Sequence, residues 1–237
     1  MRKVRPQDVC SDFTGQVDAA LAHYARVLAA LKGTANEKLD ISVMSATLLH
    51  SVFVDFECFL SDLFLAYMNR DFTQYQATFE ASLRKSVTDK QSAWLSARVT
   101  FNRPAHMTVD QLAEAIDPTG FNLSFSTSAA MKDKARIWLA DPFKTKILAL
   151  DGEDERLIDT AKMIRNWIAH QSKGSGVKMN IALADIEKGP GTPNHELGRG
   201  VREITSAGAF LKARIPGGRR VEVYARRLKE VAMNLTV

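Results

Sequence analysis

Residues 41 to 68 carry the most apolar stretch of the chain, and its spacing leaves few folds open. Leu48, Leu49, Val52, Phe53, Phe56, Phe59, Leu60, Leu63 and Phe64 recur at three-to-four spacing and form a wide band around one helix, predicted over residues 42–69. A band that wide belongs at the centre of a helical bundle. Asp55, Glu57 and Asp62 fall along its edges and interrupt it. Residues 41–54 are too short to cross a bilayer uninterrupted, so the expectation is a core helix and no membrane anchor.

Helical periodicity continues on both sides. Val17, Leu21, Tyr24, Leu28 and Leu31 predict a helix over residues 8–31, stopped by Lys32-Gly33. A third helix is expected over 72–87. A short one opens at Thr108, with Thr108 as N-cap and Gln111 in the capping-box position. Asp117-Pro-Thr-Gly120 reads as its closing turn. Residues 128–140 read as helix, and a further helical piece runs from Asp141-Pro142 to Leu150. The segment 89–106 is mixed.

Residues 153–172 predict the helix that carries chemistry. Asp151 is its candidate N-cap, and Glu153, Asp154 and Glu155 place negative charge at the positive end of the dipole. Lys173-Gly174 reads as its stop. At about 100° per residue, Leu157, Ala161, Ile164 and Ile168 form one core stripe. Asn166 and His170 share the opposite face. Arg165 points to a flank, about 140° from His170 by the same count and about 7.5 Å lower along the axis.

The tail changes character. Gly189-Pro-Gly-Thr-Pro-Asn and Gly198-Arg-Gly are loop chemistry. Residues 210–215 and 220–224 flank Pro216-Gly217-Gly218 and read as a β-hairpin, followed by an amphipathic helix over 224–235. The fold expected is therefore mainly α: a helical bundle over residues 1–178, with a C-terminal appendage of loop, hairpin and helix over 179–237 packed on the same domain.

Composition narrows function little. The formal net charge of +5 suits a polyanionic partner and equally a basic soluble protein with none. Cys10 and Cys58 lack metal-ligand spacing and make no disulfide framework, so a reducing cytoplasm is the natural compartment. No spacing of histidines points to a metal. His23 and His50 lie in apolar helical patterns and read as core or interface residues, whereas His106 and His195 lie in irregular stretches.

The run Arg165-Asn166-Trp167-Ile168-Ala169-His170 resembles the RNxxxH motif of HEPN domains. The acidic helix start, the Met163-Ile164 lead-in and the Gln-Ser-Lys-Gly exit are also similar to that family. So is Phe53-Val-Asp-Phe-Glu57-Cys-Phe-Leu-Ser-Asp-Leu-Phe, which resembles the second helix of the RiboL-PSP-like branch. The resemblance covers roughly residues 12–174, and its last twenty or so are the distinctive part. It implies an all-helical bundle that dimerises with two motifs facing each other. Many members are metal-independent endoribonucleases, often toxins of toxin–antitoxin systems or anti-phage effectors. Residue by residue, Arg165, Asn166 and His170 match the motif. Glu57, or second Asp55, is the acidic residue expected near Arg165.

The residue types suit RNA cleavage by its own 2′-hydroxyl. Histidine accepts or donates a proton near working pH. A guanidinium clamps phosphate and stabilises the transition-state charge. Asn166 holds a phosphate oxygen or orients His170. Two facing helices would supply two histidines. RNA, a second copy of the chain and an antitoxin protein are the partners implied, with no cofactor. Against this stands a structural reading. A histidine in the last turn is favoured by the dipole alone, and Arg165 is able simply to bridge a carboxylate. A non-catalytic HEPN-like module that binds nucleic acid, nucleotide or protein is the other alternative.

Between Arg199 and Lys229 lie nine Lys and Arg opposed by Glu203 and Glu222. Arg214, Arg219 and Arg220, with Lys173 and Lys178 beyond the motif, are candidates for tracking RNA phosphates. The alternative is a basic edge that guards an exposed hairpin. Tyr224 and Phe210 are candidates to stack a base, with core packing the commoner role of a phenylalanine.

Overall fold

In the computed structural model the central helix, α2 (Glu37–Arg70), begins five residues before the sequence pattern does and otherwise follows it. Leu49, Val52, Phe53, Phe56, Leu63 and Phe64 are almost completely buried. By length and composition alone α2 would suffice to cross a membrane, yet its apolar band packs on the chain's own side chains. The structure describes residues 3–116, 123–187, 197–198 and 202–237. The expected turn at 117–120, the loop at 189–194, Arg199 and His195 lie outside them.

Before α2 comes α1 (Pro6–Leu31). After it come α3 (Thr73–Lys90), α4 (Ala93–Ser96), α5 (Val109–Ile116), α6 (Ser128–Trp138) and α7 (Phe143–Leu148). Then follow α8 (Gly152–His170), α9 (Lys173–Glu187), α10 (Ala207–Leu211), β1 (Arg214–Ile215), β2 (Gly218–Arg219) and α11 (Arg220–Leu235). The protein is mainly α, with a two-stranded antiparallel ribbon pairing Arg214 with Arg219 and Ile215 with Gly218. Thr108 and Gln111 make the reciprocal capping box expected at the start of α5: the Thr108 N–H donates to Gln111 Oε1 at 2.9 Å and the Gln111 N–H to Thr108 Oγ1 at 3.2 Å.

Two expectations are corrected. The Lys173-Gly174 stop is not a stop. Gln171 and Ser172 alone leave the helix, Gln171 at φ 47°, and α9 restarts at once because Ser172 Oγ accepts the Ser175 N–H at 3.2 Å. Met179 and Leu183 are buried along α9, which lies against α8. The division expected at residues 178 and 179 therefore falls inside a helix. The second correction concerns the hairpin. Its turn is where the glycines place it, but each strand has two residues. Residues 207–211 and 220–224 are helical, since Val221, Tyr224, Ala225 and Leu228 share one buried face at three-to-four spacing.

The chain divides into two compact units. One holds residues 1–9, 60–149 and 237. In it Phe64 packs on Phe125 with centroids 4.8 Å apart, and Tyr67 stacks on Phe143 at 4.5 Å. Glu80, buried on α3, takes the guanidinium of Arg103 through two hydrogen bonds of 2.9 and 2.6 Å, which holds its carboxyl below the ordinary range. The other unit holds residues 10–59 and 150–236. In it Phe13 packs on Phe56 and Phe59, and the Tyr24 hydroxyl meets Ser45 Oγ at 2.6 Å. Every residue of the RNxxxH-like run belongs to this second unit, as does Glu57.

Candidate functional site

Asp151 starts α8 as expected. Its carboxylate accepts the N–H groups of Glu153 and Asp154 at 2.9 and 2.8 Å, meeting two donors that a helix start otherwise leaves unpaired. One turn in, buried Asp154 pairs with Arg227 of α11 at 3.1 Å, and Arg227 also pairs with Glu230 at 2.7 Å. Leu157, Ala161 and Ile164 are fully buried, and Ile168, the last of the stripe, is half-buried.

Burial pushes the Asp154 carboxyl above its ordinary value of 3.8; Asp151 and Glu153 add to this and Arg227 opposes it. The folded protein therefore holds this proton more tightly than the unfolded chain does. The stabilisation is complete below the unfolded value and is lost as pH rises through the folded one. Urea unfolding measured from pH 4 to pH 7 should show this loss, and Asp154→Asn should flatten it. An unchanged slope in the variant would assign the effect elsewhere.

Halfway along α8 the side chains turn toward α2. Arg165 Nη2 donates to Glu57 Oε2 at 2.7 Å, and Arg165 Nη1 donates to Asn166 Oδ1 at 2.9 Å. Lys162 Nζ meets the other oxygen of Glu57 at 3.1 Å. The three charged side chains are 14% (Lys162), 24% (Arg165) and 19% (Glu57) exposed, so they are largely withdrawn from water while still open to the surface. Arg165 Nε is buried and meets no acceptor among the described residues.

Of the two acidic residues expected near Arg165, the structure brings up Glu57 and not Asp55. Two residues apart, they point about 160° away from each other around α2. Burial raises the Asp55 carboxyl above its ordinary range. Lys162 was not expected, although it lies three residues before Arg165 and hence on a neighbouring position of the same helix.

His170 ends α8. It is exposed, and among the described residues it makes no hydrogen bond. The helix closes without it, because the left-handed Gln171 donates its N–H to the Trp167 carbonyl at 2.8 Å. Arg165 is thus turned inward and fixed, and His170 is presented outward and unattached. His23 is exposed and His50 half-buried, so of the core or interface roles expected of His23 only the core one is excluded.

The other candidates are scattered. Lys173, Lys178 and Arg214 are exposed. Arg219 Nη1 donates to the Lys212 carbonyl at 2.7 Å, and Arg220 lies 4.1 Å above the Phe210 ring while donating to the Phe210 carbonyl at 2.9 Å. Both arginines hold the ribbon region together. Lys229 is engaged with Asp18 at 2.6 Å, so much of the basic tail acts internally. Tyr224 is fully buried with its hydroxyl donating to the Leu197 carbonyl at 3.2 Å, and Phe210 is buried. Neither ring is open to a base. Among the described residues no three His, Cys, Asp or Glu side chains converge as a metal ion would require.

No protein-family model matches this chain, and neither a curated protein nor a solved structure does.

Proposed function

We propose that this protein is a metal-independent endoribonuclease of the HEPN type, in which a second copy of the chain completes the site. One observation carries the reading: a guanidinium held by a carboxylate and an amide, with an exposed imidazole, unbonded among the described residues, five residues further along the same helix. A purely structural bridge would not need the free histidine. Nor would it favour a buried Arg165 Nε–H with no acceptor, since buried donors are nearly always paired.

In the proposed reaction the 2′-hydroxyl attacks the adjacent phosphorus. Its proton passes to a general base, the P–O2′ bond forms, and the P–O5′ bond breaks as the leaving oxygen takes a proton. The products are a 2′,3′-cyclic phosphate and a 5′-hydroxyl. One histidine per chain supplies one proton-transfer group, so a facing His170 from a second copy supplies the other. Arg165 stabilises the charge that grows on the equatorial phosphate oxygens. Glu57 and Asn166 hold that guanidinium in place, and Lys162 pairs with the other oxygen of Glu57.

The experiment is RNA degradation in EDTA by the wild type and by His170→Ala. Loss in the variant supports the enzyme, and equal rates would assign the activity to a contaminant. No cleavage by the wild type, with salt-sensitive RNA binding, would identify a binding module instead.

A further inference from the structure

Beside the proposed site, a cavity of about 420 Å³ opens between three segments of the same unit. Leu39, Ser42, Val43 and Ala46 of α2 form one wall, Trp167 and Ile168 of α8 with Gln171 just beyond it the second, and residues 205–208 the third. The third wall is built with care. Buried Asn180 donates to the Ile204 carbonyl at 3.0 Å and accepts the Ile204 N–H at 2.8 Å, fixing the backbone just before Thr205. Gly208 then lies so close to α2 that a Cβ there would stand 2.3 Å from the Ser42 carbonyl oxygen. The indole of Trp167 is seated from behind by Gly176, where a Cβ would meet its Nε1 at 3.1 Å.

We propose that this cavity receives one unpaired nucleobase of the RNA, next to the scissile phosphate, and gives the cut its base preference. The inference rests on the ribonuclease reading of His170 and extends it to specificity. Three observations carry it. The volume falls in the range of roughly 300–1,000 Å³ usual for small-molecule sites. The lining pairs an indole and aliphatic side chains with the Gln171 amide and the Thr205 and Ser206 hydroxyls, which is the mixture that stacks a splayed base and reads its edge. Position is the third. His170 follows Trp167 by three residues, which sets the two side chains about 60° apart around the axis and about 4.5 Å apart along it. A nucleotide with its base against Trp167 carries its phosphate toward His170. Lys38, next to Leu39, and Lys173, two residues past Gln171, are exposed, and Lys212 reaches the Lys38 carbonyl at 2.6 Å, so cationic groups stand close to the lining residues in the chain.

The test has a binding arm and a cleavage arm. With Trp94→Phe and Trp138→Phe in place, Trp167 is the remaining tryptophan, and its fluorescence is titrated with 2′-deoxy tetramers of A, C, G or T, which cannot be cleaved by this chemistry. Saturable quenching is expected, with Kd differing by about 10-fold or more between the best and worst base, because hydrogen bonds to the base edge discriminate where stacking does not. Ala46→Phe and Thr205→Phe, which fill the cavity from different walls at positions outside the core, should abolish both the quenching and the preference. On a random RNA pool they should bring the base distribution at the cut near even, whereas His170→Ala stops cutting at every base. Filled variants that melt like the wild type and keep its quenching and preference would overturn the proposal. So would filled variants that lose only self-association, since the cavity would then seat a second copy. Base-dependent quenching with cleavage indifferent to His170→Ala would instead sink the ribonuclease reading and leave the base site standing.

Discussion

His170→Ala should slow RNA cleavage by about 10²–10⁴-fold, the usual contribution of a positioned acid or base, while the folded state stays within about 0.5 kcal/mol of the wild type. The split follows from where the side chain sits. His170 is exposed and makes no hydrogen bond among the described residues, and the backbone of Gln171 closes the helix in its place. A charged imidazole near a helix C-terminus adds only about 0.3–1 kcal/mol. Parallel loss of activity and of thermal midpoint would mean that the histidine is structural. Mixed dimers sharpen the result. If both histidines are needed, a dimer with one His170→Ala subunit loses most of its activity at its shared site. Full per-dimer activity in the mixed species would remove the need for two histidines and, with it, the composite site.

Much of this molecule is legible in its sequence where a rule acts over a few residues. The apolar band of α2, the Asp151 cap of α8 and the Thr108–Gln111 box all express one local periodicity or one hydrogen-bond pattern. Reading fails where tertiary packing overrides local preference. Lys173-Gly174-Ser175-Gly176 looks like a linker, yet it forms the first turn of α9, because buried Met179, Asn180 and Leu183 further along supply the reason to be helical. Residues 220–224 alternate like a strand, but the longer stripe through Leu228 and Val231 decides for helix. Within the site, Glu57 was reachable as the acidic partner of Arg165, and Lys162 could have been found from its spacing. The cavity could not, since its walls come from three separate segments, residues 39–46, 167–171 and 205–208, and close approaches such as Gly208 on Ser42 leave no periodic trace.

The charged cluster yields the prediction that best separates a catalytic arginine from a bridging one. Glu57 serves two cations, so Glu57→Ala leaves Lys162 and Arg165 side by side with neither carrying its carboxylate. Exposed pairs contribute about 0–1 kcal/mol, and breaking a fully buried one costs about 3–5 kcal/mol. With a fifth or so of each side chain still wet, the loss should fall near 1.5–3 kcal/mol. Arg165→Ala is milder for the fold, because Glu57 keeps Lys162 at 3.1 Å. For cleavage the order reverses. Arg165→Ala removes the charge proposed to meet the phosphate and should cost about 10²–10³-fold, the range seen when a transition-state donor is deleted. Glu57→Ala leaves Arg165 its hydrogen bond to Asn166 Oδ1 at 2.9 Å, so it should cost less of the rate than Arg165→Ala. Urea denaturation and initial rates on the same preparations give both orders at once. If the two variants rank the same way in stability and in rate, Arg165 acts only by holding α8 to α2. Opposite ranking requires that its guanidinium meet the substrate, because no effect on folding alone makes the less disruptive substitution the more damaging one to catalysis.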